Sequence, residues 1–261
     1  MNNQQTQRRT VDDLSTEIFT KWWPGLSEND AHVETVRNNY NVNLALEGAP
    51  ASAWVCDIGA GWGAFSCTVQ GLGYRSTMID DFRDSGFYKD TDPRYKMQQH
   101  FGVEVVSRDV IADGLNMPDN SLDVVGCFDS MEHWHNSPKQ LFAEIMRALK
   151  PGGRLVIGVP NCVNLRKRFS TLIGTAHWTG MDQWYEQPVF RGHVREPSVP
   201  DLHYIARDMG LERVQIHGAN FAGMAKPRLR LATAILDPLL KMRPGLCSEI
   251  YLTGHKPVHS T

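Results

Sequence analysis

One acidic residue and three glycines at alternate positions follow a short apolar run in the segment 55–66, VCDIGAGWGAFS. A glycine-rich turn between a strand and a helix lets the backbone approach a ligand closely and presents amides at the helix N-terminus. A dinucleotide-binding turn follows GxGxxG. Here Gly59, Gly61 and Gly63 give GxGxG, and Asp57 precedes the first glycine by two residues. This anion would repel a pyrophosphate, so the turn suits a ligand that carries an ammonium group.

S-adenosylmethionine (SAM) is such a ligand, because it has an amino acid end, a ribose and an adenine but no phosphate. A second acid supports it: Asp80 lies 80 − 57 = 23 residues after Asp57, at the end of the next apolar run. A carboxylate there can accept hydrogen bonds from both ribose hydroxyls. That acid alone would also fit NAD, so an NAD-dependent oxidoreductase is the alternative enzyme. The two acids and the GxGxG spacing together favour SAM as the ligand.

The apolar pattern around these residues predicts the elements that position them. Strands are predicted at about 53–57, 76–80, 103–107, 122–128, 154–159, 211–217 and 249–254. Helices are predicted between the first four strands, at 137–149, 198–209 and 227–242, and twice before residue 50. Short strands separated by helices form a parallel sheet. We therefore predict an α/β fold: a Rossmann-like, doubly wound, mostly parallel seven-stranded sheet with helices on both faces.

Taken in order, these segments resemble the class I SAM-dependent methyltransferases. VCDIGAGWG is similar to the family's first motif and MIDD to its ribose-binding acid. SRDVIADGLNMPDNSLDVVGCFDSMEHW resembles its adenine and fourth-strand region, and LKPGGRLVIGVPN its turn and fifth strand. GHVREPSVPDLHYIARDMGLE resembles a downstream block of bacterial small-molecule methyltransferases, some of them from polysaccharide or quinone pathways. The resemblance covers about residues 50–217 and the last strand.

The resemblance implies a role for each matching residue. The glycine turn would hold the methionine part of SAM, and the acids after the second strand its ribose: Asp57, Ile58, Gly59, Ala60, Gly61, Gly63, Asp80 and Asp81. Asp109 would bind the adenine together with the amide of Val110. The spacing from Asp109 to the turn at 118–120 is longer than the family pattern, which leaves Asp113 as an alternative. Phe128 and Asp129 would lie beside the sulfonium and the amino acid end.

Candidate catalytic residues follow the fourth strand, in DSMEHWH at 129–135. Methyl transfer to an alcohol requires alignment of the reactants and removal of the alcohol proton, which a histidine titrating near neutrality can perform. We predict Asp129, His133 and His193 as catalytic residues, with His193 returning to the pocket from GHVRE. Glu132 is interpreted as an acceptor for backbone amides. A divalent metal is not favoured, because adjacent ligands on an irregular turn rarely converge on one ion.

The predicted domain organisation has two parts. Residues 1–50 would form a helical cover, and residues 51–261 the SAM-dependent methyltransferase domain. A long segment without regular pattern, at about 162–197, is predicted to be a lid. Its aromatic side chains suit a sugar ring or a flat aromatic acceptor: Trp178, Trp184 and Tyr185.

Composition limits the partners. Lys and Arg number 27 against 29 Asp and Glu, so no basic surface for nucleic acid is indicated. Five scattered cysteines favour reduced thiols in the cytoplasm. No apolar run reaches the roughly 18 residues of a membrane span, whereas the basic, amphipathic pattern at 227–242 leaves binding to a membrane surface open. The expected partner is a small-molecule methyl acceptor, and a homodimer is left open.

The predicted function is transfer of the SAM methyl group to a hydroxyl of a small molecule, with release of S-adenosylhomocysteine. The resemblance points to a sugar or glycolipid precursor as acceptor. N-methylation of a small molecule and a SAM-binding protein without catalysis are the alternatives.

Overall fold

The computed structural model describes residues 9–83, 92–175, 179–224 and 226–258. Its centre is a seven-stranded sheet in the order β3-β2-β1-β4-β5-β7-β6. The strands are β1 (Trp54–Ile58), β2 (Arg75–Asp80), β3 (Glu104–Ser107), β4 (Leu122–Phe128), β5 (Leu149–Pro160), β6 (Glu212–Ala219) and β7 (Glu249–His255). Neighbours among β1–β5 pair in parallel, and β7 runs antiparallel to β5 and β6. The predicted mostly parallel sheet is confirmed.

Two helices precede β1, and the others lie in the connections between strands. The helices are α1 (Val11–Glu17), α2 (Glu28–Leu46), α3 (Ala64–Gly71), α4 (Pro93–Phe101), α5 (Val110–Asp113), α6 (Lys139–Ala148), α7 (Leu165–Leu172), α8 (Met181–Tyr185), α9 (Val199–Asp208), α10 (Phe221–Met224) and α11 (Pro227–Lys241). A π-helical turn, Ile18–Trp22, continues α1 directly, and short 3-10 turns occupy Met131–His133 and Pro244–Leu246.

The core has two layers, one on each face of the sheet. Successive residues of a strand point to opposite faces. Val55 of β1 therefore belongs to the cluster that contains Val42 of α2 and Val69 of α3. Its neighbour Cys56 belongs to the larger cluster that contains residues of α6 and α9. Helices thus cover both faces, as the doubly wound prediction requires.

The connection from α6 to β5 differs from the predicted helix, turn and strand. The helix ends at Ala148, and β5 begins at the next residue, where Leu149 pairs with Leu122 of β4. The register then shifts before Arg154 pairs with Val124. Lys150–Gly153 is therefore an irregularity inside the strand. Gly152 adopts a φ of 78° there, and its amide donates to the carbonyl of Lys256.

The two N-terminal helices predicted before residue 50 are present. Leu14 of α1 is fully buried. Buried polar groups join these helices to α3, because Asn38 Nδ2 donates to Ser15 Oγ and to Thr68 Oγ1, each at 2.8 Å. These hydrogen bonds hold α2 against α1 and α3. In that position of α2, Arg37 reaches Asp129 at the carboxyl end of β4.

The long segment at 162–197 contains α7, α8 and irregular turns, while Trp178 lies outside the described residues. The helix predicted at 227–242 is α11, which contacts α10 and β6 on one side. Its other side exposes Leu231, Ile235 and Leu239. In the part of the chain that the structure covers, no helix combines the length and apolar character of a membrane span.

Candidate functional site

The glycine turn connects the end of β1 to α3. Gly59, Gly61 and Gly63 have φ angles of 66°, 54° and 81°, which a residue with a side chain rarely adopts. A Cβ added to Gly59 would lie 1.8 Å from Ser130 Oγ, and one added to Gly63 would lie 2.6 Å from Met78 Sδ. A Cβ at Gly61 would meet no atom within 4 Å. Close packing explains the outer two glycines, and Gly61 faces the space that a ligand could occupy.

The two predicted acids of this edge lie at the ends of adjacent parallel strands. Asp80 holds the turn in place, because its Oδ2 accepts from the amide of Gly61 at 2.9 Å and its Oδ1 from the amide of Phe82 at 2.9 Å. Asp57 is buried and accepts from Ser66 Oγ at 2.7 Å. Burial raises the pKa of Asp57 to about 7, against the opposing effect of the Ser66 hydrogen bond.

Asp109 follows β3, and its carboxylate binds protein groups. Oδ1 accepts from the amides of Ile111 and Ala112 and thereby caps α5, and Oδ2 accepts from Arg83 at 3.0 Å. Asp81 accepts from the amide of Arg83 and lines a separate cavity of about 540 Å³ beside α4. Asp113 is the last residue of α5.

The end of β4 carries an ion pair that the sequence analysis missed. Asp129 has a φ of 47°, and its Oδ2 lies 3.0 Å from Arg37 Nη1. Arg37 also binds Glu34 at 2.8 Å. Although burial favours the neutral guanidine, the carboxylates of Asp129 and Glu34 raise the pKa of Arg37. The sequence indicates only half of this pair: Arg37 follows Val33 by one helical turn and so shares its inward side, but its partner is not encoded locally.

Glu132 lies on the 3-10 turn after β4 and is only 1% exposed. Its Oε2 has no hydrogen-bond partner among the described residues. The amides of Val194 and Arg195 donate to its main-chain carbonyl, so the predicted acceptor of backbone amides is the carbonyl group. Burial, reinforced by the nearby Asp129, raises the pKa of the Glu132 carboxyl to about 8.

His193 reaches this turn from the far end of the 162–197 segment. Its ring centroid lies 4.9 Å from that of His133, with the two planes nearly perpendicular at 89°. His193 Nε2 lies 4.0 Å from Glu132 Oε1, and its Nδ1 lies 2.8 Å from Glu196 Oε1. This hydrogen bond to Glu196, opposed by burial, raises the pKa of His193. Glu196 also pairs with Lys167.

His133 is oriented by a backbone group. Its Nδ1 lies 2.8 Å from the carbonyl oxygen of Arg191. A carbonyl can only accept, so Nδ1 carries the proton and Nε2 of the neutral ring keeps its lone pair. The same reasoning applies to His193, whose Nδ1 donates to a carboxylate. The structure therefore brings together two predicted histidines whose Nε2 atoms can accept a proton or a metal ion.

A cavity of about 1610 Å³ opens beside both histidines. Apolar side chains line it, among them Leu165, Phe169, Val189, Leu236 and Leu240. Basic side chains line it as well: Arg166, Lys167, Arg191 and Lys226. Trp184 and Tyr185, predicted to contact an acceptor, are exposed and absent from its lining, because α8 turns them to solvent.

The sheet order, the antiparallel β7 and the glycine turn after β1 define the class of the fold. It is the class I methyltransferase fold. Residues 56–157 match a family described as a methyltransferase domain. No curated protein gives a significant match.

Solved methyltransferase structures share this fold. Phosphoethanolamine N-methyltransferase 2 of Haemonchus contortus, crystallised with SAM, is 16% identical, with a TM-score of 0.56 over 95% of this chain. This chain spans only 57% of that enzyme. The 1,6-didemethyltoxoflavin-N1-methyltransferase of Burkholderia thailandensis is 18% identical, with a TM-score of 0.55 over 94% of this chain and 87% of the other.

A third structure is geranyl diphosphate C-methyltransferase of Streptomyces coelicolor, which is 14% identical. Its TM-score is 0.55 over 89% of this chain and 82% of the other. Residues 56–157 thus match a methyltransferase domain, and the chain as a whole shares the fold of the class I SAM-dependent methyltransferases.

Proposed function

We propose that this protein transfers the methyl group of SAM to a hydroxyl group of a small molecule that enters the cavity beside His133 and His193. The observation that carries the proposal is the position of these two histidines and Glu132. Glu132 and His133 follow β4 at its carboxyl end, His193 packs against His133, and both histidines line the cavity. Ligands of α/β sheets bind at this edge.

The residues of the glycine turn fit SAM. Asp57 offers a carboxylate to the ammonium group, Gly61 leaves room for the methionine part, and Asp80 is held where it can accept from the ribose. We assign the adenine to Asp109 and Val110, and the sulfonium end to Phe128 and Asp129. SAM supplies an electrophilic methyl group, and the chain has to align an acceptor with it.

We assign removal of the acceptor proton to the histidine cluster. His133 Nε2 is the candidate base, because the Arg191 carbonyl fixes the proton on Nδ1. His193 would bind the acceptor from the opposite side. Asp129, which pairs with Arg37, places a carboxylate near the point at which the methylated product would form.

The cavity lining favours an amphipathic acceptor. Apolar residues of α7 and α11 suit a hydrocarbon portion, and the basic residues suit an anionic group. Among the hydroxyl acceptors considered, a glycolipid precursor fits this lining better than a free sugar. A small-molecule amine is the second candidate, since two of the compared structures are N-methyltransferases by name. A cytoplasmic location accords with the five free cysteines.

The experiment starts from cofactor binding, measured by calorimetry with SAM, S-adenosylhomocysteine and NAD. We expect micromolar binding of the two adenosyl ligands, weakening by Asp80→Ala and no binding of NAD. Release of S-adenosylhomocysteine is then followed with panels of hydroxyl and amine acceptors. Turnover with amines alone would replace O-methylation by N-methylation. Tight SAM binding with no turnover on any acceptor would favour a non-catalytic SAM-binding protein.

A further inference from the structure

We propose that Glu132, His133 and His193 form a binding site for one divalent cation of the zinc or manganese type. The site lies at the carboxyl end of β4, where the segment at 162–197 returns to the sheet. The ligands that are adjacent in sequence, on the turn at 129–135, do not favour a metal by themselves. His193 adds a ligand from a distant part of the chain and removes that objection.

The geometry of the three side chains is close to that of a metal site. One ligand atom from each lies within 4.8 Å of the others. Zinc is bound by nitrogen and carboxylate oxygen at about 2.0–2.2 Å, so the ligand atoms have to approach each other by about 1 Å. The three residues lie on a 3-10 turn and an irregular segment, where movement of that size needs no change in the sheet.

Both histidines are prepared for metal binding by their outer contacts. A metal-binding histidine usually donates its second ring N–H to a carboxylate or a backbone carbonyl. His133 donates Nδ1–H to the Arg191 carbonyl, and His193 donates Nδ1–H to the Glu196 carboxylate, both at 2.8 Å. Each outer contact uses Nδ1 and leaves Nε2 to bind a metal ion, and Nε2 of His193 already lies 4.0 Å from Glu132 Oε1.

The distribution of charged groups around the cluster also favours binding of a cation. Asp129 is paired with Arg37, and Glu196 is paired with Lys167. Glu132 is 1% exposed, its Oε1 has only His193 Nε2 nearby, at 4.0 Å, and its Oε2 has no hydrogen-bond partner in the described ranges. A buried carboxylate oxygen without a hydrogen bond is costly, and metal binding removes that cost.

The ligand types select the cation. Two imidazoles and one carboxylate suit Zn²⁺, Mn²⁺ or Fe²⁺, whereas Mg²⁺ and Ca²⁺ prefer oxygen ligands. Three protein ligands leave a position for water or substrate, and both histidines line the cavity. If the proposed function holds, an acceptor hydroxyl bound there would have a lowered pKa, and its proton would leave to solvent. With its Nε2 lone pair bound to the ion, His133 would hold the metal in place of acting as the base itself.

The test uses full-length, untagged protein treated with a chelator and dialysed. Zinc chloride is titrated by calorimetry, and cobalt chloride by visible absorption. We expect one equivalent to bind with micromolar or tighter affinity. Glu132→Gln, His133→Asn and His193→Asn should each weaken binding by more than the 10- to 100-fold typical of outer-shell changes, and Glu196→Gln by about tenfold. His135→Asn is the matched control, because His135 is exposed, nearby and outside the cluster.

Equal zinc affinity in the wild type and all three ligand variants would overturn the proposal, as would a wild type that binds no zinc below millimolar concentration. X-ray absorption of the zinc-loaded wild type gives a readout that needs no variant, and it should show two imidazole ligands. A sulfur ligand in that spectrum would place the ion elsewhere and overturn the site. SAM titration of the same metal-free protein tests the proposed function separately.

Discussion

Asp57 and Glu132 are carboxyl groups that the fold removes from water at the candidate site. Their pKa values rise to about 7 and about 8, since burial penalises the charged form. The folded protein therefore holds protons that the unfolded chain has already released near neutral pH. The free energy of unfolding falls with rising pH wherever the folded state binds more protons than the unfolded state. For these carboxyl groups, that range lies between the unfolded and the folded pKa values. These residues lower the stability of the ligand-free protein at neutral and higher pH.

Asp57→Asn tests this conclusion. Asn keeps the size of the side chain and avoids burying a charge, so the variant should be more stable than wild type at pH 8, by on the order of 1–3 kcal/mol, and similar near pH 4. Urea unfolding at both pH values measures the difference. The same variant should bind SAM at least about tenfold more weakly, since the ammonium group loses its anion. The exposed Asp182→Asn is the control, and a wild type whose stability rises from pH 5 to pH 8 would contradict the argument.

In the turn after β1, Gly59 and Gly61 are required for different reasons. Gly59→Ala places a Cβ against Ser130 Oγ, whereas Gly61→Ala places one in open space. Both changes strain the backbone by roughly 1–2 kcal/mol because φ is positive. Gly59→Ala should lose about 1–3 kcal/mol more through the clash. Gly61→Ala should instead weaken SAM binding more than it lowers stability.

Thermal unfolding and SAM calorimetry of both variants separate these effects. Adding Ser130→Gly to Gly59→Ala removes the atom that the new Cβ meets and should recover part of the lost stability. No recovery would show that strain alone accounts for the loss, and an unchanged SAM affinity in Gly61→Ala would mean that the ligand does not approach this turn.

The ion pair between Arg37 and Asp129 joins helix α2 to the end of β4. Arg37→Met keeps most of the apolar length of the side chain and leaves Asp129 without its cation. We expect kcat/KM to fall about tenfold or more, because the carboxylate beside the histidine cluster is no longer held, and stability to fall by about 1 kcal/mol for this half-buried pair. Glu34→Gln is the control, since it leaves the Arg37–Asp129 bond in place. Equal losses in both variants would assign the effect to α2 as a whole.

Local patterns in the sequence predict most of these elements. Strand β4 lies where the apolar run at 122–128 places it, and α9 begins with the capping box of Ser198 and Asp201. Contacts between distant residues were harder to predict. Arg37 meets Asp129 across 92 positions, and no local periodicity encodes such a pair. The α6–β5 junction was misplaced for the opposite reason: the strong local signal of Pro151 and two glycines predicts a turn, but pairing with β4 and β7 extends the strand through it.

Across the whole molecule, the proposed catalytic residues lie at the carboxyl edge of the sheet, and helices inserted after β5 and β6 line the cavity beside His133 and His193. Helices α7 and α11 are far apart in sequence but line the same cavity. Both expose apolar residues to solvent, such as Phe169 and Leu239. The match to the methyltransferase-domain family covers residues 56–157 and neither of these helices, which accords with acceptor specificity being a property of the site rather than of the fold.

A pair of substitutions on α11 tests whether the cavity holds the apolar part of the acceptor. Leu236 lines the cavity, whereas Leu239 lies on the exposed side and outside the lining. Leu236→Glu places a charge in the apolar part of the lining and should raise the KM for the acceptor about tenfold or more, with the Kd for SAM unchanged. Leu239→Glu should change neither constant by more than about twofold, because surface substitutions usually have small effects. Equal increases in both variants would indicate that the acceptor reaches the site from a surface that α11 contacts, as a membrane-bound lipid would.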